Sequence, residues 1–431
     1  MLDPQSTTPS WESNLRALWF AELFAVLGFG IFKPVLPLYV SELGGGSEQW
    51  VRIWAGIVVS APGLTMIVFG PLWGTLTDRI GSKVMVLRAA LSAAILTFLM
   101  ALARSAHQLA LIRLIMGIFS GTVSAAATLV ALSAPQDRQG RAFGVLHTVV
   151  FVGSALGPLL GGLVADYLGY TSVFWVAGAT LSVASLAVIV LVKEPNESAK
   201  KLTLHRFSPS SIPSLFGRMV THYREALASR ELRRVLWAGF VMRLGANLSV
   251  AILPLFIQAI AATGARVGFL TGAVTGLSSL AGAVGSMGTG RAYERLGGRR
   301  LFVIATLVSA VGYVLHLFVR TPVWILPLQV VTGLALGSLI TITRTWLSAV
   351  AVAGQEGTAY GLESSSMSFA FALAPLIGSV LAAQFSLRLS LVGAAVLFVV
   401  AAITVGLVPD PAAGGAGDCR SCCDGRGWRE L

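Results

Sequence analysis

Residues 172–192, SVFWVAGATLSVASLAVIVLV, run for twenty-one positions without a charge. A bilayer core about 30 Å thick takes roughly 20 apolar residues wound as a helix. A strand of a membrane barrel needs about half that length and alternates apolar with polar residues. The stretch therefore reads as a membrane-crossing helix. Eleven more stretches of the same kind flank it. The predicted spans are Leu18–Val40, Ile53–Leu76, Val84–Ala103, Gln108–Leu132, Ala142–Ala165 and Ser172–Val192, then Val235–Ile260, Val267–Thr289, Leu301–Val319, Val323–Ser348, Thr358–Ala383 and Leu387–Val408. Composition agrees. Of 431 residues, 55% are hydrophobic and 12% charged, against about 25% charged in a soluble domain.

Between these spans the positive charge alternates in density. On the side of the two termini there are 22 Lys and Arg, and on the opposite side only Arg52, Arg104, Arg266, Arg320 and Arg388. Such asymmetry sets orientation in a membrane, with the basic side inside. Both termini are expected in the cytoplasm, with the chain in the inner (plasma) membrane. The net charge of +12 follows from the same rule and does not point to nucleic acid. Residues 1–13 are polar with no basic region before the first apolar run. They do not read as a cleaved signal peptide, and the first span is expected to be retained.

The three cysteines, Cys419, Cys422 and Cys423, all lie in the last thirteen residues, so the membrane body has no disulfide. No second ligand cluster accompanies them, and neither a metal site nor a cofactor is expected.

The two halves repeat each other at an offset of 216–217 residues. Leu36-Pro37-Leu38-Tyr39 matches Leu253-Pro254-Leu255-Phe256. Gly74, Asp78, Arg79 and Gly81 match Gly290, Glu294, Arg295 and Gly297. Gly117 and Gly121 match Gly333 and Gly337, and Gly144, Pro158 and Gly161 match Gly361, Pro375 and Gly378. Six helices separate the copies, so the axis relating them runs along the membrane normal. The expected fold is an all-α membrane protein of 12 transmembrane helices in two six-helix pseudo-symmetric bundles. The expected division is 1–192 for the first half, 193–234 for a cytoplasmic linker, 235–408 for the second half and 409–431 for a disordered tail. In the linker, Leu215, Phe216, Met219, Val220, Tyr223 and Leu227 fall at helical spacing, which suits either a helix on the membrane surface or a solvated linker.

Between spans 2 and 3 stands Gly70-x-x-x-Gly74-x-x-x-Asp78-Arg79-x-Gly81-x-Lys83, followed by Arg88. The glycines permit close helix approach and a tight turn. Asp78 can pair with Arg88 or face a neighbouring helix N-terminus. This segment resembles the loop signature of the major facilitator superfamily, with a degenerate second copy as in that family. Ser82 stands where the family usually has a basic residue. In span 5, Gly153, Gly157, Pro158, Gly161 and Gly162 resemble in full the antiporter motif of that superfamily's 12-helix drug–proton antiporters. Physically these residues make a bent, smooth helix face against which another helix can rock.

Charges inside spans are costly and read first as functional. Glu22 is a carboxyl in the apolar run Leu18–Phe24, where desolvation favours its neutral form. It is the first candidate for proton coupling, and Glu363, in span 11, is the second. Arg113 lies in Arg113-x-x-x-Gly117-x-x-x-Gly121. The resemblance implies an arginine that assists proton transfer by biasing a nearby carboxyl; the plain alternative is an arginine bound to backbone carbonyls. Its repeat partner is the uncharged Gln329. Lys33, beside Pro34, either neutralises an acid or an anionic substrate, or reaches the outer interface. Arg243 either pairs with a carboxyl such as Glu22 or faces water. Arg344 lies in a polar patch where snorkelling is favoured, and His147 reads as a packing residue that can titrate.

There is no Gly-x-x-x-x-Gly-Lys phosphate loop, no His-Glu-x-x-His and no catalytic constellation, so the chain is not expected to be an enzyme. The resemblance implies a proton-coupled exporter of drugs or small amphipathic molecules working as a monomer by alternating access. An uptake symporter for a sugar or other metabolite is the alternative on the same fold.

Overall fold

The computed structural model describes residues 11–44, 46–121, 125–127, 129–130, 134–135, 138–193, 223–224, 227–351 and 356–406. The linker from 194 to 222 and the tail from 407 onward, with its cysteines, lie outside the described residues. Within them the chain is helical, with no strand.

The first half begins with α1 (Trp11–Phe32), a 3-10 turn (Lys33–Val35) and α2 (Leu36–Glu42). Together these make the first predicted span. The break falls where Pro34 and Pro37 remove backbone donors, as an interior proline must. Then follow α3 (Glu48–Ile80), α4 (Ser82–Ala101), α5 (Ala106–Ile118), α6 (Gln139–Leu168) and α7 (Tyr170–Leu191). The second half opens with α8 (Arg230–Leu248) and α9 (Ile252–Ile260), broken in the same place, beside Pro254. It continues with α10 (Val267–Leu296), α11 (Gly298–Leu315), α12 (Ile325–Val350), α13 (Glu356–Gln384) and α14 (Leu387–Gly406). Among the described residues, eleven helical segments are long and apolar enough to cross a membrane.

The fourth span differs from expectation. Predicted as one helix, Gln108–Leu132, it is broken: α5 has 13 residues and stops at Ile118, and helix resumes at 125–127 and 129–130. Gly121 then takes φ 114°, a conformation open to glycine and strained for other residues. Backbone carbonyls released inside a membrane need other partners. The Trp73 indole N–H donates to the Ile118 carbonyl at 2.5 Å, and Arg88 Nη2 donates to that of Ser120 at 3.3 Å.

Packing follows one scheme twice. In the first half α1 lies against α6 and α7, α4 against α7, and α3 against α5. In the second half α8 lies against α13 and α14, α11 against α14, and α10 against α12. Each half has its own apolar core, around Phe32, Leu109 and Phe174 in the first and around Phe302, Trp346 and Phe398 in the second. The halves meet through two further pairs, α3 with α13 and α6 with α10, which are images of each other under the repeat.

Lipid gives helices no hydrophobic reason to associate, so close packing of small residues has to hold them. At the α3–α13 contact a methyl on Gly63 would lie 2.7 Å from the Ala372 nitrogen, and one on Gly56 would lie 2.7 Å from the Pro375 carbonyl. At the α6–α10 contact Gly272 rests on Pro158 and Gly276 on Ala155 in the same manner. All these residues belong to the end of the bundle away from the termini. At the other end, Gly70, Gly144, Gly288 and Gly290 have open space where a Cβ would be. Among the described residues, the bundle is closed at the far end and open at the end that carries the termini.

Candidate functional site

The span 5 motif sits in the middle of this arrangement and has two working edges. Gly153, Gly157 and Gly161, four residues apart, face α1. A methyl on Gly153 would meet Val26 at 2.8 Å, one on Gly157 would meet Gly30 Cα at 2.7 Å, and one on Gly161 would run into the Ile31 carbonyl. Pro158 and Gly162, also four apart, face α10, where Gly162 abuts the Gly268 carbonyl. One helix thus joins a contact within the first half to the contact between halves.

Two polar contacts lock the closed end. Asp166, on α6, accepts the Gly268 N–H at 2.8 Å and the Phe269 N–H at 2.7 Å, capping the start of α10. Arg52 Nη1, on α3, donates to the Ala382 carbonyl at the end of α13 at 2.9 Å while Nη2 holds Glu48 at 2.6 Å. To within a residue, the repeat offset carries Arg52 onto Gly268 and Asp166 onto Ala382. The two contacts are therefore images of each other with the donor on the same side each time. Gln258 and Ser41, on α9 and α2, add a link at 3.5 Å.

The charges within spans fall into distinct surroundings. Arg243 and Glu363 form an ion pair at 2.6 Å between α8 and α13, with side chains 8% and 13% exposed. A small cavity lined by Gly239, Thr343, Leu347 and Ser366 adjoins it. The pairing of Arg243 with Glu22 considered above is not formed; Glu363 is its partner. Glu22 is 3% exposed, and among the described residues it makes no hydrogen bond or ion pair. Leu18 and Ala21, beside it on α1, pack with Met85, Val86, Ala126 and Leu129.

Arg113 lies deep in the first half. Its Nε donates to the Val58 carbonyl at 3.2 Å, and its guanidinium sits 5.7 Å from the centre of the Phe32 ring. Phe32 is ten residues beyond Glu22 on α1, about 15 Å along the axis. The structure does not bring Arg113 and Glu22 together, so Glu22 is not a carboxyl beside Arg113 in this conformation. Arg113 is held by a backbone carbonyl and an aromatic face.

In the loop motif, the side chains of Gly74, Asp78 and Arg79 lie outside the described residues, as does that of His147. Gly81 takes φ 103° and begins α4, and its repeat image Gly297 takes φ 76° and begins α11. Lys83 Nζ donates to the Ile189 carbonyl at 3.2 Å. Arg88 stacks over the Trp73 ring, 3.6 Å from its centre. Arg344 is exposed.

Sequence reasoning passed over one buried polar set. His316, fully buried, places Nδ1 2.8 Å from the Gly312 carbonyl and Nε2 3.4 Å from Gln329, whose Oε1 accepts from Thr332 at 3.3 Å. Gln329 is the image of Arg113, and a buried amide needs partners. That need was the signal.

A broken first helix in each half, a doubled packing scheme and two image contacts between halves describe a transporter body. The family model of the Major Facilitator Superfamily matches residues 18–260 and 235–418. The chain belongs to the major facilitator superfamily. It is a multi-pass membrane transporter and not an enzyme, as the sequence implied. It is 28% identical over 391 residues to the multidrug resistance protein MdtG of Salmonella arizonae, covering 90% of this chain and 93% of that one. In structure it is similar to a bacterial homologue of the human lysosomal transporter Spinster in an inward-facing, occupied conformation, with a TM-score of 0.75 at 15% identity over 93% and 97% of the two chains. It is also similar to the nucleoside transporter NupG, with a TM-score of 0.73 at 14% identity over 91% and 98%.

Proposed function

We propose that the protein exports drugs or other small amphipathic molecules across the inner membrane in exchange for protons, as a single chain with both termini in the cytoplasm. The observation that carries proton coupling is the difference between the two carboxyls. Glu363 is bound to Arg243 at 2.6 Å, whereas Glu22 is buried with no ionic partner among the described residues. A carboxyl that is free within a span can take up and give back a proton at little structural cost; one locked to a guanidinium cannot. Export is supported by the complete span 5 motif and by the multidrug relatives. On this reading the gating residues are Gly74, Asp78, Arg79, Gly81, Lys83 and Arg88, and the halves rock about Gly153, Gly157, Pro158, Gly161 and Gly162.

The open end then faces the cytoplasm, the side from which an exporter loads. Transport in inverted membrane vesicles tests the proposal. Accumulation of a fluorescent drug that depends on an acidic vesicle interior supports export. Accumulation only in right-side-out vesicles supports the uptake alternative.

A further inference from the structure

Lys33 belongs to the short turn that breaks the first span, and that turn packs against both α6 and α10. It therefore stands at the junction of the halves, at the blind end of the space between them. Its neighbours Pro34 and Val35 are buried, yet Lys33 itself is exposed. The contacts of the turn with α6 and α10 leave that exposed side chain at the seam between the halves. Among the described residues it has no hydrogen bond and no ion pair. Its Nζ lies 5.4 Å from the centre of the Phe29 ring.

Among the described residues no carboxylate forms an ion pair with it, and Asp166, at the same end of α6, is taken by the Gly268 and Phe269 N–H groups. Glu22 is eleven residues back on α1, roughly 16 Å along the axis, and Glu363 is committed to Arg243. The guanidinium of Arg113, 5.7 Å from the ring of the adjacent Phe32, is another cation. At the image position, the turn between α8 and α9 presents Val250, apolar and 39% exposed. The blind end thus offers an ammonium and an aromatic ring from one half and an aliphatic surface from the other. A cation kept in a span without a counter-ion is costly, and an arriving anion relieves that cost.

We infer that Lys33 is the anion-recognising residue of the transport cavity, and that the cargo is an amphipathic anion, with a carboxylate or similar group on an apolar body. The inference rests on the proposed function only in taking the space between the halves as the cargo path. It does not depend on direction or coupling.

Equilibrium binding to the purified full-length protein in detergent tests it. The probes are dansylglycine, its neutral amide, and the cationic dansyl ethylenediamine. Wild type is expected to bind the carboxylate about tenfold or more tighter than the amide, the scale of one charge-assisted hydrogen bond. Lys33→Arg keeps that preference, Lys33→Gln abolishes it, and Lys33→Glu reverses it toward the cationic probe. If Lys33→Gln does not fold, the wild-type ranking and Lys33→Arg decide.

Failure of wild type to bind the carboxylate, equal binding of the cation, or a preference that survives Lys33→Gln would each overturn the inference. Added phosphatidylglycerol should leave dansylglycine affinity unchanged. Competition by it would assign the site to a lipid headgroup and overturn the cargo reading. Binding in detergent carries no direction, so an importer with this selectivity would refute the export proposal and leave this one intact.

Discussion

The carboxylate of Asp166 caps the first turn of α10 by accepting the Gly268 N–H at 2.8 Å. This places the negative end of one half on the positive end of a helix dipole in the other. The contact joins the two halves at the far end, so it favours the conformation described. Asp166→Asn keeps the size and loses the charge. The expected loss is about 1 kcal/mol, roughly fivefold in the population open at the far end. With the three tail cysteines replaced by serine, a single cysteine at Val250 reports the change. An impermeant maleimide added from the side opposite the termini should label it several-fold faster in Asp166→Asn. An unchanged rate would remove Asp166 from the latch.

The Arg243–Glu363 pair makes a different kind of prediction. Removing one member of a buried ion pair strands the other and costs about 3–5 kcal/mol, while replacing both with apolar residues of similar volume is often nearly neutral. Arg243→Met should therefore melt well below wild type in detergent. Arg243→Met with Glu363→Leu should recover most of the loss. If the double variant is no better than the single one, the two side chains are not energetically coupled.

Much of this architecture was legible because hydropathy and the repeat are written along the chain. Span 1 was expected unbroken, although Pro34 and Pro37 stand where it breaks. The break in span 4 has no such mark, because apolar residues continue past Ile118 and only the backbone at Gly121 shows the stop. The charges were visible and their partners were not. Glu363 lies 120 residues from Arg243, and Asp166 binds backbone N–H groups, which leave no mark in a sequence. The separation of Arg113 from Glu22 was hidden for the same reason. A helical distance of about 15 Å separates the two regions of α1, and a one-dimensional reading does not show which way each side chain leaves its helix.

The open end yields a prediction about motion. Gly144 and Gly288 have free space around a would-be Cβ in this conformation, and replacing a mid-helix glycine by alanine gains about 0.5–1 kcal/mol. Gly144→Ala with Gly288→Ala should raise the melting temperature of the purified protein. If the same glycines come together when that end closes, transport should slow at once. Gly157→Ala, by contrast, sets a methyl 2.7 Å from Gly30 Cα and should lower both stability and transport. A double alanine variant that is more stable and fully active would mean that the open end closes without these surfaces.

Glu22 carries the most consequential prediction. Its carboxyl is 3% exposed on α1 between Leu18 and Ala25, both buried, and no cation is bound to it among the described residues. A proton on that carboxyl removes the need to hydrate a charge in the span, and its departure restores that need. Opening toward an acidic outside would load the proton. Cargo bound from the cytoplasmic side would favour its release. Glu22→Gln mimics the loaded state permanently and cannot cycle. The variant should bind dansylated cargo with near wild-type affinity, and that affinity should no longer vary with pH. Proton-driven accumulation in inverted vesicles should be lost, while slow downhill equilibration persists. Release of protons on cargo binding, followed with a pH dye in unbuffered detergent solution, separates the remaining possibilities. If wild type releases protons and Glu22→Gln does not, Glu22 is the carrier. If release continues in Glu22→Gln, the carrier is elsewhere and Glu363→Gln is the next test, because a cargo that displaces Glu363 from Arg243 would free that half-buried carboxyl.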